Sequence, residues 1–383
     1  MLNIKEKITN LKDFISSFNT LIKLNHLIRS NKLSLKFIFF SEKKTYQKFS
    51  KILIEVLSKQ YPNQIFYFSL DKNDIIESNS VKNYYIHNKY LAKFFFDTIK
   101  GENLFLTLTD LDNHDFKKTN NIKNYIYYFH SPVSTIKNYT PKAFDNYDII
   151  FCNGKFHVEE IRHRENLKKL KSKKLVNTGY FYFDYLNENL KYDAIAEKVL
   201  IAPSWNYAET NFINENFIEL IDILLEKGEK VIFRPHPEHF KRSKSVLNKI
   251  QKKFKSSNFK FDDQSDNFYS MQESKCLITD SSGIALEYII VLKRPVLYLN
   301  DKDKIHNIDI NDYSIIKIID NELKKKFGKQ FKINDFQQID IIIDQSIKNI
   351  KNKSSEIDTF INQNFFNYGE TKKFLSENSD NIF

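Results

Sequence analysis

KVIFRPHPEHF (residues 230–240), CLITDSSGIALEYII (276–290) and RPVLYLN (294–300) decide how this chain is read. Each is an apolar run that ends in polar residues, and the middle one restarts as a helix at Ser281-Ser282-Gly283. A buried strand that hands hydroxyls and a glycine to a helix start builds an anion site, because free N–H groups and the helix dipole meet there. Arg234 and His236 end a neighbouring strand and add a fixed cation and a titratable group. That set suits a nucleotide diphosphate.

The same alternation extends in both directions. Strands are expected at 35–42, 65–70, 103–111, 124–130, 148–154 and 174–180, and again at 199–204, 230–236, 259–263, 275–280 and 295–300. Helices are expected at 45–60, 84–101 (stopped by Gly101), from about Val158, and at 214–228, 242–254 and 283–292, with a helical turn around Pro141–Asn146. Continuous apolar strands separated by helices imply parallel sheets covered on both faces. The expected fold is α/β: two Rossmann-like doubly wound domains facing a cleft, at 1–185 and 196–335, and a helical C-terminal tail at 336–383. Residues 184–197 read as a polar linker. Residues 1–33 read as an amphipathic helix on the first domain, with an in-plane membrane contact as the second reading.

Ligands of such sheets sit at the carboxyl ends of the strands. His130, Asn153-Gly154, Thr178-Gly179, Ser204, Arg234, His236 and Asp280 all fall there. Pro235 and Pro237 stiffen the backbone around His236, which suits it to donate to a phosphate oxygen or to move a proton. Asp280 or Ser281 is expected to cap the helix, Ser282 and Gly283 to offer donors to a diphosphate, and Glu287 to accept from ribose hydroxyls. His130 is expected to act as general base from the first domain, with Lys137 adding positive charge. Structural alternatives stand beside each of these: a loop or turn histidine, a plain N-cap, an exposed glutamate. Ser204 and the single tryptophan, Trp205, line the site or pack in the core. His157 and His163 read as solvated, and His239 as a helix-start residue.

The net charge is +11, from lysines scattered in ones and twos, without an arginine-rich tail or zinc-finger spacing; no nucleic-acid partner is expected. Cys152 and Cys276, the two cysteines, lie in apolar runs and read as buried thiols of a reducing compartment. No phosphate loop of Walker type, GxGxxG, HExxH or GxSxG occurs, so no cofactor and no metal is expected. The N-terminus has no secretory apolar core and no run reaches membrane-spanning length, which places the chain in the cytoplasm, with peripheral contact on the inner face of the membrane as the second reading.

The run from Val199 to Asn300 resembles the CDP-glycerol glycerophosphotransferase family of teichoic-acid and capsule polymerases. IAPSW (201–205) is similar to that family's APTW, RPHP (234–237) to its R-x-HP, LITDSSGIALEYIIVLKRPVLYLND (277–301) to its ITDYSS…DY…KPxxxYxxD block, and TGYFYFDYL (178–186) to a GxPRxD segment. The resemblance covers roughly residues 120–305. It implies a glycosyltransferase-B fold and transfer of a glycerophosphate, or a related polyol-phosphate or sugar, from a CDP-linked donor. The acceptor implied is a polyol-phosphate or glycan hydroxyl, lipid-linked in one version, in cell-envelope polymer synthesis. It also implies that Arg234 and His236 bind the donor and that His130, in HSPVSTIK (130–137), matches a basic histidine by position while Ser131 replaces the family's glycine. Gly283 stands where the family has a second serine, and Glu287 where it has its acid. The Asp-Ser-x-Gly form is also similar to UDP-N-acetylglucosamine 2-epimerases, the runner-up.

Overall fold

The computed structural model describes residues 4–191, 195–205, 215–299 and 305–383. They fall into two compact units. One comprises Met1–His130, Tyr139–Tyr185 and Phe366–Phe383; the other comprises Ser131–Asn138 and Leu186–Phe365.

The first unit carries seven strands: β1 (Phe37–Ser41), β2 (Ile65–Ser69), β3 (Val81–Tyr85), β4 (Gly101–Leu106), β5 (Ile122–Tyr128), β6 (Ile149–Phe151) and β7 (Lys174–Val176). They pair in the order β3-β2-β1-β4-β5-β6-β7, parallel throughout. FIFFS of β1 and IFYFS of β2 are buried at every position, which is what a parallel sheet covered on both faces demands. The second unit carries six: β8 (Lys198–Ile201), β9 (Lys230–Phe233), β10 (Phe259–Phe261), β11 (Ser274–Thr279), β12 (Val296–Leu299) and β13 (Gly328–Phe331). Their order is β10-β9-β8-β11-β12-β13, again all parallel. Both sheets thus run outward from the first strand to the third, return, and continue from the fourth, the doubly wound order.

Several local expectations change. VKNYY at β3 is an edge strand with exposed Lys82 and Asn83, so it lacks the apolar run that marks a central strand, and the helix expected from Tyr84 begins at Lys89. Asn88 caps that helix, its side chain accepting from Leu91 N. Gly101 does not end the helix; it opens β4, where its N–H donates to Asn121 O. The edge strand β13, GKQF, likewise lacks an apolar run, with Lys329 and Gln330 exposed. The first residues of the expected linker, 184–189, belong instead to the end of the helix Phe181–Asn189, held by buried Phe181, Tyr182, Phe183 and Leu186. Of that linker, residues 192–194 lie outside the described residues, as do Asn206, Tyr207, Asn214, Asn300 and Asp301 of the expected motifs and elements.

The tail forms helices Ile339–Lys351 and Ser354–Asn364 in the second unit, and Thr371–Ile382 in the first. The last of these docks by Thr371 N donating to the buried Asp184 carboxylate at 2.7 Å. Phe383 closes on Phe37, Phe105 and Phe151, with ring centroids 5.1, 5.6 and 6.3 Å away. Gly179, at φ +83°, takes a conformation that favours glycine, and a β-carbon there would strike the Phe366 carbonyl of the returning chain.

Candidate functional site

In the second sheet the winding reverses between β8 and β11, which pair directly while their onward connections leave in opposite directions. The carboxyl ends of those two strands therefore open a crevice. Ala202–Trp205 follows β8 and Asp280–Gly283 follows β11, so the sequence delivers two polar turns to one point. Ser204 N donates to Asp280 Oδ1 at 2.7 Å, and Ser204 Oγ to Asp280 Oδ2 at 2.5 Å. Both residues are buried. Two residues expected in the site are thus brought together, and each satisfies the other. Asp280 does not cap the helix, and neither does Ser281: the helix Ile284–Leu292 has Gly283 as its N-cap with no side-chain cap bond. The carboxylate is instead consumed in bracing the two strand ends.

Ala285 N and Leu286 N are taken up by Ser282 O and Gly283 O. The amides of the turn itself, residues 281–284, are those a helix start presents outward. Ser281 and Ser282 are half-buried, and their hydroxyls take no protein partner among the described residues. Gly283 is fixed by crowding. A β-carbon there would run into Ser131 Oγ and lie 3.4 Å from Val133 Cγ1. Ser131–Asn138 belongs to this unit and is pinned to it. Ser134 N donates to Asp320 Oδ2 at 2.8 Å, Asn138 Nδ2 to Asp320 Oδ1 at 2.8 Å, and Lys137 Nζ to Asn321 Oδ1 at 2.7 Å. Burial raises the Asp320 carboxyl, opposed by the Ser134 amide and the Lys137 charge. Lys137 is buried, so its charge serves this clamp.

β9 delivers Arg234 and His236. Arg234 Nη1 pairs with Asp262 Oδ2 at 2.6 Å and Nη2 donates to Gln264 O at 2.9 Å. Burial works against the Asp262 charge, yet the Arg234 guanidinium and the Ser270 hydroxyl hold its carboxyl below the usual range. Much of the Arg234 charge is therefore matched locally. His236 Nδ1 accepts from Glu238 N at 3.2 Å, which puts the proton of the neutral ring on Nε2. His236 N donates in turn to His239 Nδ1 at 3.1 Å. His239 is fully buried at the start of its short helix and meets Trp205 edge-on at 5.2 Å, with the Arg242 guanidinium over the indole at 5.6 Å. Trp205 packs there, the core reading of that residue. Glu287 is buried and accepts from Asn267 Nδ2 at 3.3 Å, which replaces the reading as an exposed glutamate.

His130 lies in the first unit, two residues beyond the end of β5. Tyr46, Phe49 and Tyr139 surround its ring, with centroids at 5.5, 6.1 and 6.2 Å. Its Nδ1 is shielded from solvent with no hydrogen-bond partner among the described residues. Burial pushes the imidazole down to about 4, so it is neutral at physiological pH. His157, read from sequence as solvated, is fully buried, stacked on Phe129 at 3.8 Å and accepting from Asn153 N at 3.2 Å; His163 is half-buried. Asp262 and Asn267 were missed. For Asp262 the signal existed, since FKFDD ends a strand as the other candidates do. Asp320 and Ser131 reach the site by contacts across long stretches of sequence that no local pattern announces.

A family model described as CDP-Glycerol:Poly(glycerophosphate) glycerophosphotransferase matches residues 143–371. Among curated proteins none matches this chain in sequence. Among solved structures it is similar to the wall teichoic acid polymerase TagF, at 18% identity and a TM-score of 0.61 over 98% of this chain and 97% of that one. It is also similar to the UDP-GlcNAc 2-epimerase of Methanocaldococcus jannaschii solved with UDP-GlcNAc and UDP, at 13% identity and a TM-score of 0.56 over 90% of this chain and 99% of that one. The S. aureus MnaA–UDP structure gives 10% identity and a TM-score of 0.57 over 91% and 96%. These likenesses show the fold, the two-sheet α/β arrangement of the glycosyltransferase-B type with a helical C-terminal tail.

Proposed function

Because the chain belongs to the CDP-glycerol:poly(glycerophosphate) glycerophosphotransferase family, we propose that it transfers glycerophosphate from CDP-glycerol to a hydroxyl of a teichoic-acid-like or capsular polymer. In this reading residues 196–335 bind the donor and residues 1–185 serve the acceptor, which is lipid-linked and presented at the inner face of the cell membrane. The observation that carries it is the turn 281–283 at the winding reversal, held without a β-carbon at Gly283 by Ser131.

The diphosphate lies on the Ser281–Gly283 turn, where outward amides and the helix dipole favour anions. His236 donates from Nε2 to a phosphate oxygen. Arg234, steadied by Asp262, offsets charge on the leaving nucleotide. Glu287, on the same helix, accepts from the ribose hydroxyls. Ser204 and Asp280 brace the strand ends that carry both turns. The acceptor oxygen bonds to the glycerol-bearing phosphorus, the bond from that phosphorus to the CMP oxygen breaks, and the electron pair leaves with CMP. The acceptor's proton passes to the His130 imidazole, which is neutral and so able to take it.

The chain should be incubated with CDP-glycerol and a glycerophosphate oligomer. Release of CMP that depends on the oligomer supports the proposal. Consumption of UDP-N-acetylglucosamine with no acceptor present would instead establish the epimerase reading.

A further inference from the structure

The helix Lys44–Gln60 follows β1, so its first turns stand at the carboxyl end of the first sheet, the end at which His130 follows β5. Its apolar side, Phe49, Ile52, Leu53, Val56 and Leu57, is buried. On another face Lys44, Lys48 and Lys51 follow one another at spacings of four and three residues, which sets them in one row about 10 Å long. Like charges in such a row destabilise a helix, and no acid is left on the helix to offset them. Its first turn has none, and its single acid, Glu55, gives one oxygen to Lys59 at 2.8 Å and the other to Lys372 at 3.0 Å.

Two of these lysines are held in place. Lys48 Nζ lies over the Tyr182 ring, 4.8 Å from its centroid, and Lys51 Nζ lies over the Tyr185 ring at 4.9 Å. Both tyrosines come from the helix Phe181–Asn189 and stack on each other at 5.5 Å. An ammonium seated on a ring face keeps N–H donors on its outer side for an anion, and the seat removes rotamer freedom before the anion arrives. The row passes close to the expected base. Phe49 packs on Tyr182 at 5.1 Å and on the His130 imidazole at 6.1 Å, and Lys48 Nζ stands 5.1 Å from the Phe49 centroid. All these residues belong to the first unit. A row of cations suits consecutive phosphates of a linear phosphodiester, and a row that passes a proton acceptor suits one that ends in a hydroxyl. We propose that Lys48 and Lys51, seated on Tyr182 and Tyr185, bind phosphates of the acceptor polymer and bring its terminal hydroxyl to His130, with Lys44 extending the row. The inference rests on the transfer reading above for the identity of the polymer, and its first test uses no donor.

The whole chain should be titrated calorimetrically with a glycerophosphate oligomer, with glycerol 3-phosphate and with single-stranded RNA of matching charge. The oligomer should bind at least about tenfold more tightly than either of the others, and its binding should weaken as salt rises. Lys48→Gln with Lys51→Gln removes two charged contacts and should weaken oligomer binding roughly tenfold or more. It should also raise the KM for the oligomer, with CDP bound as before. Lys51→Gln alone, at an exposed position that leaves the fold intact, should show part of the loss. An oligomer affinity unchanged by these substitutions, or RNA bound as tightly as the oligomer, would overturn the proposal. Lysine-dependent binding of the oligomer without CMP release from CDP-glycerol would keep this site and end the transfer reading. CMP release with an oligomer KM indifferent to both lysines would do the reverse.

Discussion

A β-carbon at position 283 would meet Ser131 Oγ, so the serine side chain would have to turn away to admit it. Gly283→Ala should cost about 1–3 kcal/mol, the usual range for overpacking, and should weaken nucleotide binding; denaturant melts with and without CDP separate the two effects. Gly283→Ala combined with Ser131→Gly should recover most of the stability. His130 gives a second test. With its imidazole pushed down to about 4, kcat/KM should stay flat from neutral pH to about pH 5, with no acid limb near the usual histidine value of about 6.5. Its contribution to stability follows the same logic. The unfolded state takes up a proton below about 6.5 while the native state resists until about 4, so stability falls as pH drops through that window. His130→Ala should lower turnover by roughly a hundredfold or more with CDP affinity kept. Sequence singled out both residues, His130 by its place at a strand end and Gly283 by its place at a helix start. It did not reveal why 283 is glycine, because the reason lies some hundred and fifty residues away.

At the scale of elements, the bracing of strand ends is where stability and site chemistry meet. Arg234→Ala leaves the buried Asp262 without its counter-charge, a loss of about 3–5 kcal/mol, detectable by urea titration. Arg234→Lys should restore part of it, since an ammonium supplies the charge but not the two-point fork. Asp262 contributes its stability above the ordinary aspartate range near 4, and loses it as pH falls through its depressed native value. Central strands were readable because parallel strands buried on both faces are apolar runs. The edge strands Val81–Tyr85 and Gly328–Phe331 were not, because solvent on one side admits VKNYY and GKQF. The helix start at Ile284 was legible in place but not in its cap, since Asp280 found a better use in Ser204.

For the whole molecule, the repeated alternation made two doubly wound sheets legible, while the return of residues 366–383 to the first unit was not, because that segment docks by aromatic contacts far from it in sequence. Deleting residues 366–383 should uncover Phe37, Phe105 and Phe151 and lower the melting temperature of the first unit by several degrees or more. The proposed transfer requires the second unit to grip a nucleoside diphosphate at the turn 281–283. Calorimetric titration with CDP tests that most directly. Saturable binding at one site, at least about tenfold weaker in Gly283→Ala, is the expected result; absence of heat with CDP, UDP and GDP alike, or an affinity untouched by Gly283→Ala, would contradict it.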